Sequence, residues 1–259
     1  MTHQADGING ALHGAATLRA LARRLLDAIL PPHCLKCRVP VGEPGSLCAD
    51  CWNAVTFIAE PVCAACGLPF EVPAGRDALC GGCLRRRPVF ERARAALAYD
   101  DASRDMILAF KHADRTEAAP AFARWMARAG RDLTARADMV APVPLHWRRF
   151  WRRRYNQSAL LARALGGQAG IAVVPDLLVR ARSTPSQGGL GRAARARNVR
   201  GAFRLNGRMA ARVRGARVLL VDDVYTTGAT VEACARVLLR AGAAAVDVLT
   251  LARVVRPGG

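Results

Sequence analysis

Eight cysteines between positions 34 and 83 fall into four Cys-x-x-Cys pairs: Cys34/Cys37, Cys48/Cys51, Cys63/Cys66 and Cys80/Cys83. Written out, the spacing is C-x2-C-x10-C-x2-C, a gap of eleven residues, then C-x2-C-x13-C-x2-C. Two intervening residues put a pair of thiolates on one tight turn facing the same ion, and two such turns complete the tetrahedron zinc requires. A disulfide framework is the alternative, but nothing in the chain suggests secretion and the spacing matches zinc sites. Two structural zinc ions are therefore expected. A catalytic role for them is not, because an all-cysteine site leaves no open coordination position. Sequential pairing of the knuckles is the expectation, although an interleaved pairing also satisfies the spacing. The ninth cysteine, Cys234, lies among alanines and reads as a buried, inert thiol.

A second constellation starts at Asp222-Asp223 and runs through Val224-Tyr225-Thr226-Thr227-Gly228-Ala229-Thr230. The threonine hydroxyls and backbone N–H groups of such a segment converge at a helix N-terminus, which favours a phosphate. Two adjacent carboxylates beside a phosphate make chemical sense if they accept hydrogen bonds from hydroxyls or help hold a cation. A ribose 5-phosphate offers both, with its phosphate for the loop and its 2′- and 3′-hydroxyls for the acids. A Gly-Lys-Ser/Thr phosphate loop and a G-x-G-x-x-G dinucleotide fingerprint are both missing.

The elements that would hold these groups are legible around them. Val218 to Val221 is an unbroken apolar run, as expected of a strand buried in a parallel sheet, and it ends in the acidic pair. Thr227-Gly228-Ala229-Thr230 opens a helix that Ala241-Gly242 closes, and Val246 to Leu251 reads as the next strand. The loop thus sits at the carboxyl end of a strand, where open α/β sheets bind ligands. Another strand begins near Asp138 and runs into Ala141-Pro-Val-Pro-Leu-His146. Near the N-terminus, Thr17 caps a predicted helix whose Leu18, Leu21, Leu25, Leu26 and Ile29 share one face. That helix either docks onto the rest of the protein or lies on an anionic membrane.

Charge divides the chain as the cysteines do. The 259 residues carry 39 basic and 20 acidic side chains, a formal net charge of +19. Residues 1–90 hold nine basic and seven acidic groups, so the remaining thirty and thirteen give residues 91–259 a net of +17. Three parts follow: an N-terminal helix region at 1–32, a cysteine-rich part at 33–88, and an α/β part at 89–259, the last two with separate cores. So positive a chain favours polyanions. Trp147-Arg-Arg-Phe-Trp-Arg-Arg-Arg-Tyr155 interleaves arginines with aromatics, which makes Trp147, Arg148, Arg149, Trp151, Arg152 and Arg153 candidates for single-stranded nucleic acid. Arg180 to Arg217 adds eleven arginines and no acid, more than one small ligand requires. No apolar stretch is long enough to span a membrane, and Arg19, Arg23 and Arg24 interrupt the N-terminal apolar run, so a cytoplasmic protein is expected.

The segment Val218-Leu-Leu-Val-Asp-Asp-Val-Tyr-Thr-Thr-Gly-Ala-Thr230 closely resembles the 5-phosphoribosyl-1-pyrophosphate (PRPP) signature of type I phosphoribosyltransferases. With the cysteine pairs, Arg153-Arg-Tyr-Asn-Gln-Ser158 and Val199-Arg-Gly-Ala-Phe203, the chain from about Pro31 to Arg253 resembles the ComF family. The resemblance implies a double zinc ribbon followed by an α/β, type I phosphoribosyltransferase fold with a parallel-sheet core. It implies PRPP bound with magnesium, at Asp222 to Thr230. For the pyrophosphate, or for a hood closing over it from residues 182–200, it points to Lys111, Pro144, Leu145, Arg154, Asn156, Gln157, Arg182, Gln187, Arg195 and Asn198. One departure is Arg154, where many relatives carry glycine before the aromatic. The role implied is handling of incoming single-stranded DNA in natural transformation or DNA utilisation, with competence or DNA-processing proteins as partners. Two rivals remain at this point: an active glycosyltransferase moving ribose 5-phosphate to a nucleophile with loss of pyrophosphate, and a PRPP-sensing regulator.

Overall fold

A computed structural model describes residues 31–112, 115–145, 155–182 and 192–255. The predicted N-terminal helix, the Trp147–Arg154 stretch and Gln187 lie outside these residues. The chain divides into two compact units, with the boundary between Trp52 and Asn53.

The first unit holds Cys34, Cys37, Cys48 and Cys51. Its turn after Cys34 is closed by the Cys34 N–H donating to Val39 C=O at 2.8 Å and by a bridge between His33 and Pro40. Cys51 comes from a short helix, Ala49–Ala54.

The second unit is built on a parallel sheet of β1 (Ala93–Ala98), β2 (Met139–Pro142), β5 (Arg217–Tyr225) and β6 (Ala245–Arg253), ordered β1-β6-β5-β2. The central strands are apolar on both faces, because helices cover both. On one face Val218, Leu220, Val246 and Val248 pack with Val231, Cys234 and Leu238. These last three belong to the helix Ala229–Arg240, whose apolar positions recur at helical spacing. Cys234 is fully buried there, and burial raises its thiol pKa well above the usual range, as an inert cysteine requires. The other face meets two helices, Ala119–Ala129 and Gln157–Ala169. Gly130, ending the first of these, lies so close to Leu249 that a Cβ there would clash with its methyl groups.

Strand β5 is longer than the apolar run suggested. It continues through Asp222 and Asp223 to Tyr225, because β6 extends equally far and pairs Asp222 with Thr250 and Tyr225 with Arg253. A separate antiparallel pair, β3 (Leu178–Arg180) and β4 (Phe203–Leu205), flanks a chain segment that includes the helix Arg192–Val199. The second cysteine-rich ribbon belongs to this same unit. It has a small core of its own, Cys63, Ala65, Cys66, Cys80 and Cys83, but backbone bonds join it to the sheet. Ala93 N–H donates to Ala65 C=O at 2.8 Å, and Gly67 packs against the Ala93 carbonyl with no room for a Cβ.

Candidate functional site

The eight cysteines form two tetrads, Cys34/Cys37/Cys48/Cys51 and Cys63/Cys66/Cys80/Cys83, each with all four sulfurs within 4.8 Å of one another. The pairing is sequential. Cys37 Sγ lies 3.5 Å from Cys48 Sγ, and Cys66 Sγ lies 3.7 Å from Cys80 Sγ. A tetrahedron with Zn–S bonds of about 2.3 Å has edges of about 3.8 Å, so the donor set fits zinc. In each tetrad a backbone amide reaches the first sulfur: Cys48 N–H to Cys34 Sγ and Cys80 N–H to Cys63 Sγ, both 3.3 Å. Such bonds favour thiolate. They bring Cys34 down to about 6 despite opposing burial, and a hydrogen bond from Cys66 with these amides brings Cys63 to about 4. Their neighbours move the other way. Burial and nearby cysteine sulfurs push Cys51 and Cys83 up to about 12. Metal analysis of protein purified without added zinc is expected to return about two zinc ions per chain; a content near zero would refute both sites.

The acidic pair is held by two other segments. Asp222 Oδ1 accepts from Ser158 Oγ at 2.8 Å and from the Asp223 N–H at 3.0 Å. Lys111 Nζ lies 2.9 Å from Asp223 Oδ2. Lys111 comes from a helix, Asp101–His112, remote in sequence from the loop. Both carboxylates are half-buried rather than exposed at a strand end. Burial, and then the Asp223 charge, push Asp222 up to about 7 against the opposing pull of Ser158 and Lys111.

The Tyr-Asn-Gln-Ser element acts as a bracket around this pair. Tyr155 Oη donates to Phe110 C=O at 2.8 Å and Gln157 Nε2 to Lys111 C=O at 3.1 Å, fixing the end of the lysine's helix. Asn156 Nδ2 donates to Val143 C=O at 3.1 Å, while its Oδ1 caps the following helix at the Ser158 N–H. The amides of Asn156 and Gln157, expected near a pyrophosphate, are thus committed to backbone carbonyls. Pro144 and Leu145 follow β2 half-buried, and Arg182 bonds the carbonyls of Asn198 and Arg200 at 3.1 and 2.8 Å. Arg195 and Asn198 sit half-buried on or beside the helix Arg192–Val199. Arg154 and Gln187 lie outside the described residues, as do Trp147, Arg148, Arg149, Trp151, Arg152 and Arg153.

Beyond the carboxylates the chain turns through Thr226 and Thr227 to Gly228, whose φ of 77° starts the helix Ala229–Arg240. The first amides of a helix have no intrahelical acceptor and carry its positive end. Thr227 Oγ1 is buried without a hydrogen-bond partner among the described residues. An unpaired buried hydroxyl costs about 1–3 kcal/mol, which an oxyanion seated in the turn would offset. Two half-buried carboxylates and a helix-starting turn with an unpaired buried hydroxyl therefore stand side by side.

One expectation changes in the structure. The arginines from Arg180 to Arg217 are not all unopposed, because acids from other segments and buried contacts take some of them. Arg217 pairs with Glu91 at 2.5 Å and Arg180 is buried over the Phe203 ring, while Arg197, Arg200, Arg204, Arg208, Arg212 and Arg214 remain exposed. Sequence reasoning also assigned no role to Ser158. Its signal was its place after the Asn156 cap, but its partner is 64 positions away.

The double zinc ribbon domain family matches residues 25–84 and the phosphoribosyl transferase domain family residues 157–257. The DNA utilization protein YhgH of Salmonella typhi is 37% identical over 86% of this chain and 98% of its own. Competence protein F of Haemophilus influenzae is 30% identical, over 85% of this chain and 96% of its own. Among solved structures, the allosteric regulatory enzyme of purine biosynthesis shares 21% identity, covering 56% of this chain and 30% of its own, with a TM-score of 0.38. Orotate phosphoribosyltransferase from Aeropyrum pernix shares 16%, covering 61% and 80%, with a TM-score of 0.31.

Proposed function

The chain belongs to the ComF/YhgH family, with a double zinc ribbon ahead of a phosphoribosyltransferase domain, and on that premise we propose that it binds PRPP and single-stranded DNA in the cytoplasm, in DNA uptake or utilisation. The observation that carries the PRPP reading is the juxtaposition of Asp222 and Asp223 with a turn whose buried Thr227 hydroxyl has no partner among the described residues. In this reading the carboxylates accept the ribose 2′- and 3′-hydroxyls and the Thr226–Thr230 segment holds the 5′-phosphate. Lys111 holds Asp223 in place and adds positive charge beside the bound anion. Magnesium, arriving with PRPP, would neutralise the pyrophosphate; the half-buried acidic pair suits a cation nearby.

Calorimetry with PRPP and magnesium tests this directly. Asp222→Asn is expected to weaken binding about ten- to a hundredfold while keeping the fold, since a charged acceptor is worth about 1.5–3 kcal/mol. The pH dependence has a definite sign. Asp222 is raised to about 7, so it is protonated below that and charged above it. PRPP affinity should therefore rise from pH 6 to pH 8, and Asp222→Asn should flatten the rise. Folding stability runs the opposite way: the native state holds the proton more tightly, so stability falls as pH climbs from the ordinary carboxylate range through 7. A flat wild-type titration would retire the PRPP assignment.

Support for DNA comes from the relatives' names, the net charge of +19 and the arginine-aromatic stretch at Trp147–Tyr155. Binding should be sequence-tolerant and fall with salt by about 0.7 log units per log unit for each phosphate contacted. Trp147→Ala and Trp151→Ala should each cost about 1–3 kcal/mol where a base stacks. Affinity that stays constant from low to moderate salt would count against it. Release of pyrophosphate in the presence of one defined acceptor would favour the glycosyltransferase instead.

A further inference from the structure

The phosphate turn has a second side. A cavity of about 550 Å³ lies between the turn and the second cysteine ribbon, walled by Tyr225 to Ala229 and by ribbon residues that include Leu68, Gly82 and Arg85. Asp222, Asp223 and Lys111 are not in its wall. The acidic pair and its lysine thus lie outside the cavity, while the turn that follows them forms part of its wall.

The cavity is built for an anion carrying a ring. The wall carries Arg85, Arg86 and Arg253 and one carboxylate, Glu232, which accepts two bonds from Arg86 at 2.8 and 3.0 Å and one from Arg236 at 3.1 Å. Arg253 is 5% exposed; it donates to the Cys66 carbonyl and lies over the Tyr225 ring, 5.0 Å from its centroid. Its Nε is buried with no hydrogen-bond partner among the described residues. A buried guanidinium N–H left unpaired is rare unless a ligand or water completes it. Phe90 and Tyr225, edge to face with centroids 6.3 Å apart, and Leu68 supply apolar wall. The volume is in the range of nucleotide-sized ligand sites.

We propose that this cavity receives a nucleotide joined through a phosphoanhydride to the phosphate held in the turn, so that the site takes a ribose 5-phosphate extended through its phosphate, as in a pyrophosphate-linked dinucleotide. A terminal phosphate fills only the turn; the extension places its own phosphate against Arg85 and Arg253 and its base against Phe90 and Leu68. The inference rests on the reading of the turn as a 5′-phosphate site.

The test is calorimetry on the zinc-replete full chain with ribose 5-phosphate, with ADP-ribose, and with a trideoxynucleotide. Wild type should bind ADP-ribose at least tenfold more tightly than ribose 5-phosphate. Arg85→Ala, an exposed position, and Leu68→Trp, which fills the cavity, should each erase that advantage. Both should bind ribose 5-phosphate as wild type does, which also reports on their folding. Equal affinity for the two sugars in wild type, or an advantage that survives both variants, overturns the proposal. Failure of wild type to bind ribose 5-phosphate or PRPP would instead overturn the reading of the turn. A gain seen with the trideoxynucleotide but not with ADP-ribose, and lost in both variants, assigns the cavity to a DNA strand and overturns the dinucleotide.

Discussion

Gly228→Val is expected to abolish measurable PRPP binding, an affinity loss of at least about a hundredfold, or about 2.7 kcal/mol. Two effects combine at this position. The backbone of Gly228 has φ of 77°, a left-handed conformation in which a β-branched residue is strained by about 1–3 kcal/mol. A Cβ there would also meet the Tyr225 ring, 2.8 Å from its Cζ and closer still to its hydroxyl. The ring has little freedom to retreat, because Phe90 meets it edge-on and the Arg253 guanidinium lies over it. Relief must come from the turn itself, by shifting Thr226 and Thr227 and the first amides of the helix off the phosphate position. The hydrophobic face of that helix, Val231, Cys234 and Leu238, is untouched, so the fold should survive. Circular dichroism beside the calorimetric titration separates the two. Wild-type affinity in a folded Gly228→Val protein would show that the turn does not hold the ligand.

Gly228 was legible in the sequence because its neighbours are local. An apolar run, two acids, threonines and a glycine in succession encode a strand, a turn and a helix start within thirteen residues. The cysteine tetrads were legible for the same reason, each closing over a short stretch of chain. What the sequence withheld was long-range. Neither the Lys111–Asp223 pair nor the Ser158–Asp222 bond has a local signature, since each depends on how helices land on the sheet. The extension of β5 to Tyr225 depends likewise on the length of its partner strand. Arg253 looked like one more arginine in a basic chain, yet it is among the most buried charged residues because the ribbon carbonyl and the Tyr225 ring lie beside it.

That last contact separates the two zinc ribbons in their consequences. Cys63→Ser and Cys34→Ser should each lose about one zinc ion, but only Cys63→Ser should also weaken the phosphoribosyl part of the protein. Zinc supplies most of the free energy that folds a small ribbon, on the order of 10–16 kcal/mol in isolated fingers, so removing one thiolate unfolds the local structure. Around Cys63 that structure contributes the Ala65 carbonyl that pairs β1, the close approach of Gly67 to Ala93 and the Cys66 carbonyl that accepts from Arg253. Freed of its carbonyl, a buried guanidinium loses a bond worth about 1.5–3 kcal/mol and its hold on the Tyr225 ring beside the phosphate turn. Cys34 belongs to the other compact unit and supplies none of these contacts. Thermal unfolding followed by the near-ultraviolet signal, with PRPP titrations in parallel, should therefore show a lowered midpoint and reduced PRPP affinity for Cys63→Ser. For Cys34→Ser the main transition and the affinity should match wild type. Identical behaviour of the two variants would mean that the second ribbon is only tethered to the sheet, and the contacts from Ala65, Cys66 and Gly67 would then carry no part of the phosphate site's stability.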